Sequence, residues 1–262
     1  MLHNAGRLSD EVAVVTGSTS GLGAAIARRF VEEGASVLVT GRNVERGEAL
    51  LAELAAVPGR AAFVAADLAE EEACTRLVDG AVERFGALTV LVNNAVASDA
   101  LASDGSLAEL STEAWEAVLR VGLSAPMWLC RAAIPHMQRA GRGSIVNISS
   151  RAAERATPAH TAYVACKGGL NALTRAIATD YAGDGIRCNT LAPGYIVNER
   201  RERLSPERRA HFERMHLTRL ASAQDVAAAA LYLASRESEV VTGILLPVDG
   251  GSSTAARASS FG

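Results

Sequence analysis

The chain has 262 residues, 49% of them hydrophobic, and a formal net charge of −3. That length and apolar content suffice for a full core and exclude a disordered or fibrous protein, while the weak negative charge gives no electrostatic reason to expect nucleic acid or a membrane as partner. The four cysteines, Cys74, Cys130, Cys166 and Cys188, are far apart and form no C-x-x-C pair. They read as buried thiols in a reducing compartment, so no metal site and no disulfide framework is expected. Stretch 1–17 lacks the apolar centre of a signal peptide and no apolar run reaches membrane-spanning length, which makes the expected location cytoplasmic.

In chain order, short apolar runs rich in β-branched residues alternate with longer amphipathic stretches. Strands are predicted at 12–17, 36–41, 61–67, 88–94, 143–149, 186–193 and 243–248. Most lack in–out alternation, as suits strands buried on both faces of a parallel sheet. Helices are predicted at 21–33, 44–56, 69–85, 112–139, 161–183 and 222–234. The alternation implies an α/β fold: a single doubly wound Rossmann-type domain over 1–262, with a parallel sheet of about seven strands and helices on both faces. The tail 252–262 is small, polar and expected to be loosely held.

The first strand runs into "TGSTSGLG", which sets Gly17, Gly21 and Gly23 between a strand and a helix. Glycines there let backbone N–H groups approach a pyrophosphate at the helix N-terminus, so Gly17, Ser18, Thr19, Ser20, Gly21, Leu22 and Gly23 are candidate cofactor contacts. A tight strand-to-helix turn needs glycine for its own geometry as well, and the spacing is G-x-x-x-G-x-G. The second strand ends "VTGRN", with no acid to hold ribose hydroxyls and with Arg42 available for a 2′-phosphate. This favours NADP over NAD. Asp67, which closes the third strand, could receive the adenine amino group or cap the following helix.

Of the 26 Lys and Arg residues only one is lysine: Lys167, four places after Tyr163. On a helix that spacing puts both on one face, a turn apart. A free phenol titrates near about pH 10 and is a poor acid–base catalyst at neutrality, but neighbouring positive charge favours the phenolate. Lysine's compact charge and three rotatable donors suit this task and can also hold a ribose, which the planar arginine fork does not match. Upstream, the fifth strand ends in Ser149 and Ser150, where a hydroxyl could donate to a carbonyl oxygen that the phenol protonates. Ser-Ser after a strand is also ordinary turn chemistry.

Together these features resemble the short-chain dehydrogenase/reductase family, from about residue 10 to 251. The matching pieces are Thr16–Gly23, Asp67-Leu68, "NNA" at 93–95, Ser150, Tyr163-x-x-x-Lys167, Asn189, Pro193-Gly194 and "VDGG" at 248–251. The resemblance implies hydride transfer on a carbonyl or secondary alcohol. It makes Tyr163 the acid/base, Ser150 (thirteen before Tyr163) the group that polarises the oxygen, and Lys167 the holder of the nicotinamide ribose. It adds Leu68, Asn94, Pro193, Gly194 and Ile196 to the cofactor contacts, and implies a homotetramer or homodimer through helices 112–139 and 161–183.

Three positions depart from the family pattern: Gly122 where Asn is usual, Val96 in place of a glycine after "NNA", and Asn198 where Thr is common after "PG". The first removes a side-chain amide from a proton relay while retaining a backbone carbonyl and tolerating a kink. Segment 198–220, the expected substrate lid, carries seven arginines and four glutamates. It could attract an anionic substrate or thioester carrier, or be a solvated helix laced with Glu–Arg pairs. Arg151, Arg155 and His160 could line the pocket mouth, with the polar stretch 97–111 as a second wall. The expected activity is an NADP(H)-dependent ketone reductase or secondary-alcohol dehydrogenase, acting on a specialised metabolite or a 3-oxoacyl thioester. The alternative is a dinucleotide-binding protein with a non-redox role, or an epimerase or cyclase.

Overall fold

The computed structural model describes residues 6–197 and 205–254. Strands β1 (Val12–Val15), β2 (Ser36–Gly41), β3 (Arg60–Ala65), β4 (Val90–Asn93), β5 (Gly143–Ile148) and β6 (Ile186–Pro193) form one sheet with β9 (Leu245–Val248). The seven strands run in the order β3-β2-β1-β4-β5-β6-β9, and each neighbouring pair is parallel. Two residues each of β7 (Ile196–Val197) and β8 (Ala221–Ser222) pair separately.

Alternation along the strands divides the interior into two layers. Ala13 and Val15 of β1 join Val37, Val39, Val90, Val92, Val146 and Ile148 on one face, while Val14 joins Leu38, Leu91 and Ile145 on the other. The first face is covered by α1 (Gly21–Glu32), α2 (Val44–Leu54) and α8 (Ala223–Ala234), through Ile26, Phe30, Leu50, Leu54, Val226 and Leu231. The second is covered by α3 (Glu71–Phe85), α5 (Ala125–Ala140) and the far end of α6 (Thr161–Tyr181). Central strands β1, β4 and β5 are buried throughout, whereas the edge strand β3 is only half-buried, since a flank lacks a second neighbour to cover it.

The predicted helix 112–139 is two helices. α4 (Thr112–Leu119), capped by the Ser111 hydroxyl on the Ala114 N–H, passes through a π-turn at Arg120–Ser124 into α5. Gly122 sits inside that turn, buried, and a Cβ on it would fall 2.4 Å from Cys166 Sγ of α6. A side chain at this point would have to move the Cys166 thiol. Segment Thr112–Ala140 is long and apolar enough to cross a membrane by length and composition, contrary to the sequence expectation. Its apolar side chains Leu129, Cys130, Ala133 and Met137 are packed in the second layer.

The four cysteines are buried and free, and burial pushes Cys74 up to about 11 and Cys130 up to about 12. The expected tail begins as a held segment. The Asp249 carboxylate accepts hydrogen bonds from Gly251 N–H, the Ser252 hydroxyl, and both N–H and hydroxyl of Ser253. Residues 255–262 of that tail, and 198–204 of the expected lid with Asn198, lie outside the described residues.

Candidate active site

The chain builds β1, β2 and β3 outward in one direction, then crosses back to place β4 on the other flank of β1. Ligands of such sheets lie beyond the strand C-termini at this reversal. The glycine turn occupies that place. Gly17 (φ 62°) and Gly21 (φ 55°) take left-handed backbone that other residues avoid, and a Cβ on Gly21 would meet nothing within 4 Å. Gly21 thus presents open backbone at the start of α1. Gly23 is required for a different reason: a Cβ there would fall 2.3 Å from Gly17 O and 2.5 Å from Asn94 Nδ2.

Asn94 braces this turn. Its N–H donates to Thr16 Oγ1, and its amide nitrogen donates to Thr16 O and Gly17 O at 2.9 and 3.3 Å. Ser18, expected among the cofactor contacts, is turned inward. Its hydroxyl donates to Val15 O and accepts from Thr40 N–H, while its own N–H donates to Thr40 O. With its hydroxyl and N–H committed and no exposed surface, Ser18 pins β1 to β2. Leu68 is likewise buried, in the second layer of the core.

On the adenosine flank, a Cβ on Gly41 would lie 2.7 Å from Thr19 Oγ1, so an acidic side chain at the end of β2 would have to displace Thr19. Arg42 follows, with its guanidinium on Asp99 Oδ2 at 2.8 Å. Asp67 is exposed and accepts the Ala69 N–H at 3.0 Å, a turn within the loop; it does not cap α3, whose N-cap position is Glu70, without a side-chain cap.

Beyond β5, the two serines separate. Ser149 is buried and its hydroxyl donates to Lys167 O. Ser150 is half-buried and accepts the Ala152 N–H at 3.1 Å, which leaves its own proton free to donate outward. Tyr163 and Lys167 lie on α6 as expected. Lys167 is only 2% exposed. Its ammonium donates to Ile148 O at 2.7 Å and stands 5.8 Å from the centre of the Tyr163 ring. Burying a lone ammonium is costly unless its protons are bonded, and the Ile148 carbonyl supplies one such bond at the C-terminal end of β5. Thr174 holds the same helix further along, between Asn147 of β5 and Thr190 of β6, at 2.8 Å each.

Asp104 is the residue that sequence reading missed. It lies in the polar stretch 97–111 and accepts from Ala162 N–H through Oδ1 and from Tyr163 N–H through Oδ2. Its signal was indirect: His160 stands at the N-cap of α6 without capping it, so the first-turn N–H groups needed a distant acceptor. Arg155, expected at the pocket mouth, instead donates to Ser252 O. His160 is exposed, bonded to Pro158 O, with its ring edge-on to Tyr163 at 6.5 Å. Arg151 opens the short helical turn after Ser150 and is half-buried.

On the far side, Gly194 continues β6 and packs against Asp249, where a Cβ would come within 2.8 Å of the Asp249 Cβ. Tyr195 stacks on Phe212 of α7 (Pro206–Arg214) at 3.8 Å between ring centres. In the described part of the expected lid, Arg209 pairs with Glu213, and Arg219 pairs with Asp225 through two nitrogens. Val96 is 43% exposed beside the glycine turn. Among the described residues no group of three His, Cys, Asp or Glu side chains could hold a metal ion.

A parallel sheet with a glycine turn at its reversal point, facing a buried lysine, a tyrosine and a serine, defines an NAD(P)-dependent oxidoreductase acting on CH–OH and C=O groups. A profile of the family described as "Enoyl-(Acyl carrier protein) reductase" matches residues 17–253, and the chain belongs to the short-chain dehydrogenase/reductase family. It is 36% identical over 248 residues to 2,5-dichloro-2,5-cyclohexadiene-1,4-diol dehydrogenase of Sphingobium indicum, covering 94% of this chain and 98% of that one. It is 33% identical over 246 residues to 3-oxoacyl-[acyl-carrier-protein] reductase of Thermotoga maritima, covering 94% and 98%. A short-chain type dehydrogenase/reductase from Mycobacterium ulcerans superposes with a TM-score of 0.86 at 28% identity, covering 94% of this chain and 91% of that one.

Proposed function

We propose that this chain is an NADP(H)-dependent oxidoreductase that interconverts a secondary alcohol and a ketone on a small hydroxylated metabolite. The observation that carries the reading is the convergence at the end of β5: Ser150 with a free proton, and Lys167 fixed on Ile148 O beneath the Tyr163 ring. The dinucleotide, when bound, accepts or supplies the hydride. The glycine turn with Thr19, Ser20 and Leu22 would hold its pyrophosphate, and Asn94, Pro193, Gly194 and Ile196 would line its nicotinamide half. The residues present fit it, because Gly21 offers open left-handed backbone at a helix start.

In reduction, the Ser150 hydroxyl donates to the substrate carbonyl oxygen and the Tyr163 hydroxyl delivers the proton to it. Lys167 places positive charge beside the phenol, which favours the phenolate left behind. In oxidation the same groups act in reverse. A site meant for binding alone would need neither the phenol nor the serine proton.

Two observations support the finer choices. Gly41 abuts Thr19, so an acid there would have to displace that side chain, and Arg42, which follows, supplies a charge suited to a phosphate. Arg209 and Arg219 of the expected lid pair with Glu213 and Asp225, in keeping with a solvated, pair-laced segment and not with a dedicated site for an anionic carrier, which favours the metabolite over the 3-oxoacyl thioester. A single domain over 1–262, a cytoplasmic location, and a homotetramer or homodimer built on helices 112–139 and 161–183 complete the proposal.

The test is dinucleotide oxidation against a panel of cyclic and acyclic ketones and 3-oxoacyl thioesters, with NADPH and NADH in parallel. Tyr163→Phe should lower turnover by about 10²–10⁴-fold while NADPH affinity stays within about twofold. Turnover that survives Tyr163→Phe would sink the mechanism, and a preference for NADH would sink the cofactor assignment.

A further inference from the structure

Because β1 lies between β2 and β4, the segments leaving those two strands stand on opposite flanks of the glycine turn. Arg42 leaves β2 and Asp99 leaves β4. Their ion pair, Arg42 NH2 to Asp99 Oδ2 at 2.8 Å across 57 residues of sequence, joins the two flanks over the end of β1. It belongs to no helix or strand ladder, and both partners are largely in water, with side chains 63% and 80% exposed. An exposed pair of this kind is weak and screened by salt. Asp67 adds a second negative charge to the field around Arg42. The cation read above as the partner of a 2′-phosphate is therefore already held by a carboxylate of the chain itself.

We propose that Asp99 competes with the adenosine 2′-phosphate for Arg42, so that the strength of this pair sets how far the site prefers NADPH to NADH. The inference rests on the reading above that Arg42 meets the 2′-phosphate. A phosphate monoester carries three terminal oxygens and greater charge than a carboxylate, and Asp99 holds Arg42 through one oxygen, so the phosphate can replace it. The released Asp99 returns to water that already bathes it. A dinucleotide with a plain ribose has nothing to offer Arg42 and gains nothing from breaking the pair. Removing Asp99 should thus help only the phosphorylated cofactor, through loss of both the competing hydrogen bond and a like charge near the phosphate.

The experiment is calorimetric titration of the full chain, without substrate, with NADPH, NADH, adenosine 2′,5′-bisphosphate and 5′-AMP. Asp99→Asn should tighten NADPH and the bisphosphate by about 2–5-fold and leave NADH and 5′-AMP unchanged. Asp99→Ala should behave alike, and the gain should shrink as salt is raised. Arg42→Met run alongside separates the two layers of the argument. If it collapses the NADPH/NADH affinity ratio while Asp99→Asn fails to raise that ratio, the competition is disproved and the assignment of Arg42 stands. If Arg42→Met leaves the ratio unchanged, both are overturned. An equal tightening of NADPH and NADH by Asp99→Asn would reduce Asp99 to a general charge on the rim and overturn the proposal as well.

Discussion

The Asp104 carboxylate accepts a hydrogen bond from the backbone N–H of Tyr163 itself, at 3.0 Å, across 59 residues of sequence. Its other oxygen takes the Ala162 N–H at the same distance. The loop after β4 thereby fixes the height and tilt of α6 at the residue that carries the phenol, and a negative charge at a helix N-terminus is favourable in itself.

Replacing this cap gives the first prediction. Asp104→Ala should cost about 1 kcal/mol, up to about 2, or about 2–4 °C in melting temperature for each kcal/mol. It should also lower kcat several-fold while NADPH affinity is unchanged, since the phenol and not the glycine turn loses its support. Asp104→Asn retains one acceptor oxygen and should recover part of both losses. A lower melting temperature with wild-type kcat would make Asp104 a structural cap and nothing more.

Gly122 and Cys166 form an interlock that double-mutant analysis can read. Gly122→Asn forces a side chain onto Cys166 Sγ and should destabilise by about 1–3 kcal/mol. In a Cys166→Ala background the same change should cost about 1 kcal/mol less or better, a coupling typical of residues in contact. Thermal or denaturant unfolding of the four proteins measures it. Additive losses would mean that the π-turn, and not the thiol, sets the need for glycine.

Ala159 has φ 55°, the one described non-glycine residue in left-handed backbone, one residue before the N-cap of α6. Alanine in that conformation is strained by about 1 kcal/mol. Ala159→Gly should relieve it and raise stability by about 0.5–1 kcal/mol, read as a higher melting temperature. A lower melting temperature would show that the strain is absent in solution.

Asp249 predicts acid sensitivity at the far end of the sheet. Burial alone would raise its pKa, but hydrogen bonds from Ser253, Gly251 and Ser252 outweigh that and hold it below its ordinary value of 3.8. A carboxyl with a lower pKa folded than unfolded contributes stability above the unfolded value, and that contribution is lost as pH falls through the folded one. Stability should therefore drop below about pH 4, and Asp249→Asn should flatten that drop while lowering stability at pH 7. An unchanged acid limb in the variant would assign the drop to other carboxylates.

Much of the frame was legible in the sequence because it rests on short-range pattern. Buried strands announce themselves as β-branched runs, the turn at Gly17–Gly23 follows its strand directly, and Tyr163 and Lys167 share a face by spacing alone. What escaped is made by loops meeting across the chain. Asp104 read as one polar residue among many in 97–111, because its partners lie on a helix whose own N-terminus it completes. Ser18 sat in the middle of the glycine turn yet faces Thr40 of the next strand, and no local pattern marks which hydroxyl turns inward. Gly122 was noticed as a departure, but the group that crowds it, the thiol of Cys166, is one helix away.

Helix α7 has no buried residue; Phe212 rests on Tyr195, and the His216 ring just beyond the helix bonds back to Phe212 O. Lys167, Ser149 and Thr174, by contrast, bolt α6 to three points of the sheet. On the proposed reading, the chemistry and the selection of what undergoes it are thus carried by parts anchored very differently. If α7 belongs to the substrate lid as proposed, changes along it would reshape what the cleft admits without disturbing the core or the proton donor, and a lineage carrying this scaffold could drift among substrates while its reaction stays the same.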